Sequence, residues 1–170
     1  MKAFNQDLDE ITEFLDFLEE DLENIHRVIS YVQNKDLDVE FEIHAKAETV
    51  EDSAKHSDID KSRIVKSLVF IADEPILVLC SGDKRVDTDK LENIRESSVR
   101  MANPNEVEKH TGYIVGGVSP FDTDLPVYME ESINQHETVR PAAGSRLVGV
   151  RIPPETLKKA VNAEIRELAE

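Results

Sequence analysis

A mixed α/β fold is predicted by three observations. An N-terminal stripe of apolar residues repeats at helical spacing, two runs rich in Val, Ile and Leu read as adjacent buried strands, and capped helix starts are scattered between further strand-like runs. Leu8, Ile11, Leu15, Leu18, Leu22, Ile25, Ile29 and Val32 alternate by threes and fours, so residues 4–33 form an amphipathic helix close to a heptad seam. Phe14 and Phe17 widen the stripe, and Asp9, Glu13, Asp16, Glu19, Glu20 and Glu23 occupy the other side. The acidic first turns suit the positive end of the helix dipole. Such a helix either packs on its own domain or, as the sharper expectation, serves dimerisation (a homodimer) or partner docking.

Asn34 to Asp38 is polar and reads as a linker. Residues 1–38 therefore form an acidic helix with its linker, and 39–170 the main domain. Phe41 to Ala45 alternates like a short strand, and Thr49 can cap a helix through Val50–Ala54. Ile64–Ile71 and Pro75–Cys80 are the two buried strands, with Asp73-Glu74-Pro75 as the turn between them. Thr88 caps a short helix holding Leu91 and Ile94. Asn103-Pro104 opens another that ends at Gly112. Pro126–Met129 and Leu147–Ile152 read as strands. Pro153-Pro154 starts a C-terminal helix with Leu157, Val161, Ile165 and Leu168 on one face.

The composition narrows the function classes. A chain of 170 residues holds one domain with a core and an added element. Cys80 is the single cysteine, which excludes a disulfide within the chain and a cysteine-based metal site. No apolar run approaches a membrane span and no signal-peptide pattern opens the chain, so a soluble cytoplasmic protein is expected, with no membrane partner. The net charge of −16 argues against non-specific DNA binding. It fits either a salt-rich cytoplasm or an ordinary acidic protein.

Thr111 to Phe121 is the most informative stretch. Gly116-Gly117 ends an apolar run, and Pro120 stiffens the turn after it. Such a loop can aim backbone N–H groups at an oxyanion, a phosphate or an ester carbonyl; it can equally be an ordinary turn. Lys66 interrupts an apolar strand, as a residue with a partner or a task, or as one facing outward. His26, His44, His56, His110 and His136 show no zinc spacing, and no Gly-x-Ser-x-Gly elbow, Walker loop or dinucleotide fingerprint occurs. Cys80 closes an apolar strand and reads as core.

Four segments occur in a particular order: His44 followed by Thr49-Val50-Glu51-Asp52, Ile64-Val65-Lys66-Ser67-Leu68-Val69-Phe70, Gly112-Tyr113-Ile114-Val115-Gly116-Gly117-Val118-Ser119-Pro120-Phe121, and Ala142-Ala143-Gly144-Ser145. Val78–Asp83 and Val99–Ala102 also fit. Over about residues 40–160 the chain resembles the YbaK family, the editing domain inserted in or related to bacterial prolyl-tRNA synthetase. The resemblance implies a compact mixed α/β domain with a curved, barrel-like sheet flanked by helices. It implies hydrolysis of mischarged aminoacyl-tRNA in trans, with a small amino acid such as Ala, Cys or Ser, on tRNA(Pro) in the first instance. It assigns activity to the lysine matching Lys66. It assigns the pocket for the aminoacyl ester to the loop matching Gly116, Gly117, Val118, Ser119 and Pro120. A nearby loop of that pocket matches Gly144 and Ser145, and His44 and Thr49 match residues near the substrate end. No metal or organic cofactor is implied. The implied partners are aminoacyl-tRNA and prolyl-tRNA synthetase.

A lysine is a poor general base near its ordinary pKa of about 10.4, so an electrostatic role is expected for Lys66, with the ester carbonyl held by backbone N–H groups at Gly116 and Gly117. An acidic chain that binds tRNA needs a local basic patch, for which Lys61, Arg63, Lys84 and Arg85 are the candidates. The rivals are a non-catalytic module of the same fold that binds aminoacyl-tRNA or a synthetase, and a hydrolase of another small ester or amide.

Overall fold

The computed structural model describes residues 8–44 and 60–170. Thr49, the helix expected over Val50–Ala54, and His56 lie outside the described residues. Helix α1 (Leu8–Asn34) is followed by β1 (Glu40–Ile43), β2 (Ile64–Ile71), β3 (Pro75–Ser81), α2 (Thr88–Arg95), β4 (Arg100–Met101), α3 (Pro104–Thr111), β5 (Val127–Glu130), β6 (Arg140–Ser145), β7 (Val148–Arg151), α4 (Pro154–Val161) and β8 (Glu164–Arg166). Short 3₁₀ turns at Lys61–Arg63 and Glu131–Gln135 precede β2 and follow β5. The predicted mixed α/β class holds. An eight-stranded sheet runs β1-β7-β6-β2-β3-β5-β8, with β4 added beside β2. Parallel pairs (β2 with β6, β3 with β5, β5 with β8) mix with antiparallel ones.

The apolar runs behave as strand alternation requires. Val65 and Val69 of β2 join Leu77 and Leu79 of β3 in the larger core, while Phe70, Ile76 and Val78 face a smaller one with Leu91 and Leu168. Helix α1 reaches the larger core with Val28 and Val32 and buries Ile25. Each such side chain contributes roughly 1.5–3 kcal/mol when fully buried. Leu37 and Val39, in the polar connection, also pack against this core.

Helix starts follow local chemistry. Asn103 and Glu106 form a reciprocal capping box, with Pro104 at the first helical position of α3 and Gly112 left-handed at its end. For α2 the cap is Asp87 rather than Thr88, its carboxylate accepting from the Asp89 N–H at 3.0 Å. The C-terminal helix does not continue to Leu168. Asn162 takes a left-handed conformation (φ 52°) and ends α4 after Val161, as asparagine does more readily than most residues. Glu164–Arg166 then pairs parallel to β5 as β8, and Leu168 enters the smaller core.

Candidate active site

Strand β2 is paired unevenly. In an antiparallel pair, the backbone groups of alternate residues point at the partner and those between point away. The Gly82 N–H donates to the Ile64 carbonyl at 2.8 Å, so Ile64, Lys66, Leu68 and Phe70 face β3. Val65, Ser67, Val69 and Ile71 face the other way. On that side β6 pairs at Ile64 and Val65, the Ala102 N–H donates to the Val69 carbonyl at 3.0 Å, and β4 pairs at Phe70 and Ile71. Ser67 falls in the interval, and among the described residues no strand reaches its backbone there.

That interval opens into a cavity of about 520 Å³, within the range of small-molecule sites. Its walls are mainly aliphatic, among them Leu68, Val69, Val107, Val115, Val118 and Val148. The polar groups are few: His44, Lys66, Ser67, Arg140, Ser145 and Arg146. The Ser67 hydroxyl is buried and has no hydrogen-bond partner among the described residues, a condition that disfavours the empty site and favours a polar ligand atom beside it.

The glycine-rich loop forms one wall and is laced to itself. The Gly117 N–H donates to the Ile114 carbonyl at 2.9 Å, the Tyr113 hydroxyl to the Phe121 carbonyl at 2.6 Å, and the Phe121 N–H to Ser119 Oγ at 3.3 Å. Burial pushes the Tyr113 hydroxyl up to about 12, so it remains a donor across the physiological range. Gly116 (φ 96°) and Val118 line the cavity. Gly117, Ser119 and Pro120 stand behind that wall. A Cβ on Gly117 would lie 3.0 Å from the Ser145 backbone, so this glycine lets the loop rest directly on the end of β6.

Helix α1 braces the same loops from behind. Ser145 donates to the buried Asp21 carboxylate at 2.7 Å and accepts from the Leu147 N–H at 3.0 Å. Asn24 donates to the Gly112 carbonyl, and its own backbone passes so close to Gly144 that a Cβ there would sit 2.6 Å from its oxygen. Arg27 donates to the Thr111 carbonyl and to Asp122, and lies 4.1 Å over the Tyr113 ring.

His44 and Lys66 complete the chemistry. The His44 N–H donates to the Leu147 carbonyl at 2.7 Å, and its imidazole lies over Gly149, where a Cβ would stand 2.9 Å from Nε2. Lys66 borders the cavity, its ammonium donating to the Lys84 carbonyl. Cys80, opposite Lys66 on β3, is buried; burial pushes its thiol up against the pull of Lys66, which keeps it from acting as a thiolate. Arg140 is held bidentate by Glu42 at 2.6 and 3.1 Å. Of the residues singled out from the sequence, the cavity thus brings together His44, Lys66, Gly116, Val118 and Ser145, with Gly144 in the supporting layer. Ser67, Arg140 and Gly149 are added by pairings between strands, and Arg146 by the turn between β6 and β7. Lys61 and Arg63 precede β2, and Lys84 and Arg85 follow β3, so these cations fall at one end of that antiparallel pair. No group of three or more metal-ligating side chains occurs among the described residues, nor a helix long and apolar enough to cross a membrane.

The fold and cavity define a mixed α/β domain with a largely apolar cavity bordered by strand backbone and a lysine. Comparison gives the class its family. The aminoacyl-tRNA editing domain matches residues 44–160, and the chain belongs to that family. It is 37% identical over 130 residues to the uncharacterized protein YwhH of Bacillus subtilis, spanning 74% of this chain and 82% of that one. It is 30% identical over 132 residues to EbsC of Enterococcus faecalis, provisionally named a Cys-tRNA(Pro)/Cys-tRNA(Cys) deacylase, covering 75% and 79% of the two chains. A crystal structure provisionally titled a trans-editing enzyme for prolyl-tRNA synthetase superposes with a TM-score of 0.79 at 31% identity, over 86% of this chain and 97% of the other.

Proposed function

We propose that the protein is a free-standing aminoacyl-tRNA deacylase that hydrolyses the ester of a small amino acid (Ala, Ser or Cys) on mischarged tRNA, tRNA(Pro) first among them. The observation that carries this reading is the backbone at Ser67, which no described strand pairs on that side, in an apolar cavity walled by Gly116 and bordered by Lys66. The names of the relatives and family membership support the same substrate class.

An aminoacyl ester is already activated, so positioning and electrostatics supply most of what its hydrolysis requires. The cavity is larger than a small side chain needs and has room for the terminal nucleoside as well. In this reading the aminoacyl side chain lies against the aliphatic wall. Backbone N–H groups at Ser67 and Gly116 face the ester carbonyl as it becomes an oxyanion, since the Gly117 N–H is already committed to Ile114. Water attacks the carbonyl carbon, the ester C–O bond breaks, and the ribose hydroxyl and free amino acid leave. Lys66 supplies positive charge to the developing anion or the terminal phosphate. His44 orients the substrate end.

Deacylation of Ala-, Ser- and Cys-tRNA(Pro) by wild-type and Lys66→Ala protein tests the proposal. Turnover on one member, reduced about 10²–10³-fold by the substitution as when one oxyanion donor is removed, is the expected result. One observation favours a second reading: one donor of the Lys66 ammonium is already engaged by the Lys84 carbonyl, as in a non-catalytic module that binds aminoacyl-tRNA or a synthetase. No turnover, with charged tRNA or synthetase still bound, decides for that module.

A further inference from the structure

Helix α1 is acidic, and all but one of its described carboxylates face solvent. Asp9, Glu13, Asp16, Glu19 and Glu23 are exposed, whereas Asp21 is 5% exposed. A buried carboxylate is costly unless a partner compensates it, so its place in the fold calls for a reason. It accepts from the Ser145 hydroxyl at 2.7 Å, and Ser145 is itself buried. An ionised carboxylate only accepts hydrogen bonds. The hydroxyl is therefore obliged to turn its hydrogen towards α1 and its lone pairs towards the Leu147 N–H, which donates to it at 3.0 Å. The Leu147 carbonyl in turn accepts from the His44 N–H at 2.7 Å. One directed chain of hydrogen bonds runs from the helix through the β6–β7 turn to a residue of the cavity wall.

We propose that Asp21 is a positioning residue of the candidate active site, which makes α1 part of the frame of that site. The inference deepens the deacylase reading and rests on it for the reaction that the residue serves. The Ser145 turn is where two walls of the cavity meet. Ser145 and Arg146 line the cavity there, and Gly117 rests on the Ser145 backbone, with Gly116 and Val118 lining the cavity on either side of it. Holding the Ser145 hydroxyl thus fixes both walls and the end of β1 where His44 sits. Asp21 is the first of three such contacts, spaced three residues apart on one side of the helix. Asn24 donates to the Gly112 carbonyl and Arg27 to the Thr111 carbonyl, at the start of the glycine-rich loop. Asp21 differs from them in that its partner itself lines the cavity. All three lie outside residues 44–160, the stretch that the family match covers. With an apolar side chain at position 21 the hydroxyl would lose its fixed acceptor and the turn its set direction. In a site that works by placement, a shift on the order of 1 Å lowers the rate about 10²-fold.

Amide hydrogen exchange and deacylation of Ala-, Ser- and Cys-tRNA(Pro) by the full chain test this with Asp21→Ala, Asp21→Asn and Ser145→Ala. Val32→Ala is the control, since Val32 lies in the larger core and its truncation loosens α1 away from the turn. Asp21→Ala and Ser145→Ala should each speed exchange at the Leu147 amide beyond any change in global stability. Each should lower kcat about 10- to 100-fold with KM changed less. Asp21→Asn keeps an acceptor oxygen and should lie nearer wild type on both measures. Val32→Ala should lower the melting temperature and leave Leu147 exchange and kcat near wild type. Ser145→Ala removes one oxygen from the same bond and carries the comparison if Asp21→Ala does not fold. Leu147 exchange and kcat at wild-type values in Asp21→Ala and Ser145→Ala overturn the proposal, as does a Val32→Ala protein that loses as much activity. A wild-type protein without turnover counts against the deacylase reading; Leu147 exchange still decides the positioning role, upheld if Asp21→Ala speeds it selectively and overturned if it does not.

Discussion

Gly144 and Gly149 both lie against the candidate site, and a methyl group at each would meet a different obstacle. At Gly144 the backbone is left-handed (φ 85°) and the added carbon would sit 2.6 Å from the Asn24 carbonyl oxygen, part of a helix that cannot yield without lifting α1 from β6. Gly144→Ala is therefore expected to destabilise the fold by about 1–2 kcal/mol from the backbone conformation and about 1–3 kcal/mol from overpacking. At Gly149 the obstacle is Nε2 of His44, the far end of a side chain that can rotate. Gly149→Ala should leave stability much closer to wild type while lowering kcat/KM for deacylation on the order of 10- to 100-fold, the scale of a misplaced positioning group. Thermal unfolding and steady-state kinetics on the two variants separate these outcomes. A large stability loss at Gly149 with unchanged kinetics would remove His44 from the site.

At the scale of elements, a buried carboxylate is one of the groups that tie down the C-terminal tail, beside the Asp87 N–H to Leu168 carbonyl, Glu170 N–H to Arg85 carbonyl and Lys90 to Ala169 carbonyl bonds. Glu130, at the end of β5, is buried and accepts N–H bonds from Leu168 at 2.6 Å, Ala169 at 3.1 Å and Ser132 at 3.1 Å. Burial alone would raise its pKa, but these donors outweigh it and hold the carboxyl below its ordinary value. A carboxylate with a depressed folded pKa adds stability above the unfolded value, about 4.3 for Glu. That stability is lost as pH falls through the folded value. Glu130→Gln is expected to lose roughly 1.5–3 kcal/mol at pH 7, the scale of hydrogen bonds to a charged group, and the gap to wild type should narrow below about pH 4. Urea unfolding at pH 7 and pH 3.5 measures both; a gap that does not change with pH would mean that shape rather than charge holds the tail. In this tail local sequence pattern no longer specifies the structure. β2 and β3 were legible because their Val, Ile and Leu runs serve two cores, and α3 because Asn103, Pro104 and Glu106 cap it locally. β8 was not, since Glu164–Arg166 is short and charged and becomes a strand only beside β5. β6 was masked by Pro141 and Gly144. In the site, Lys66 and the glycine loop stood out by local chemistry. The opening at Ser67 and the Arg140–Glu42 pair arise from strands far apart in the chain, which no local pattern encodes.

For the whole molecule, the proposed deacylase function requires a chain of −16 to receive an anionic RNA. The antiparallel β2–β3 pair concentrates Lys61, Arg63, Lys84 and Arg85 at the end that also carries Lys66, where the cavity wall begins. A local cluster of this kind can engage phosphates while the remaining acidic surface limits non-specific binding elsewhere. Replacing the four residues by Gln should weaken tRNA binding and flatten its dependence on salt, by about 0.7–0.9 in the log–log slope for each phosphate no longer neutralised. The Lys66-dependent step on bound substrate should change far less, so the loss appears in KM rather than kcat. Filter binding of charged tRNA(Pro) across a salt series checks this against wild type. RNA capture is expected to loosen as salt rises. An unchanged affinity and slope in the quadruple variant would place the RNA on another surface, with Arg140 and Arg146 in the cavity wall as the next cations to test.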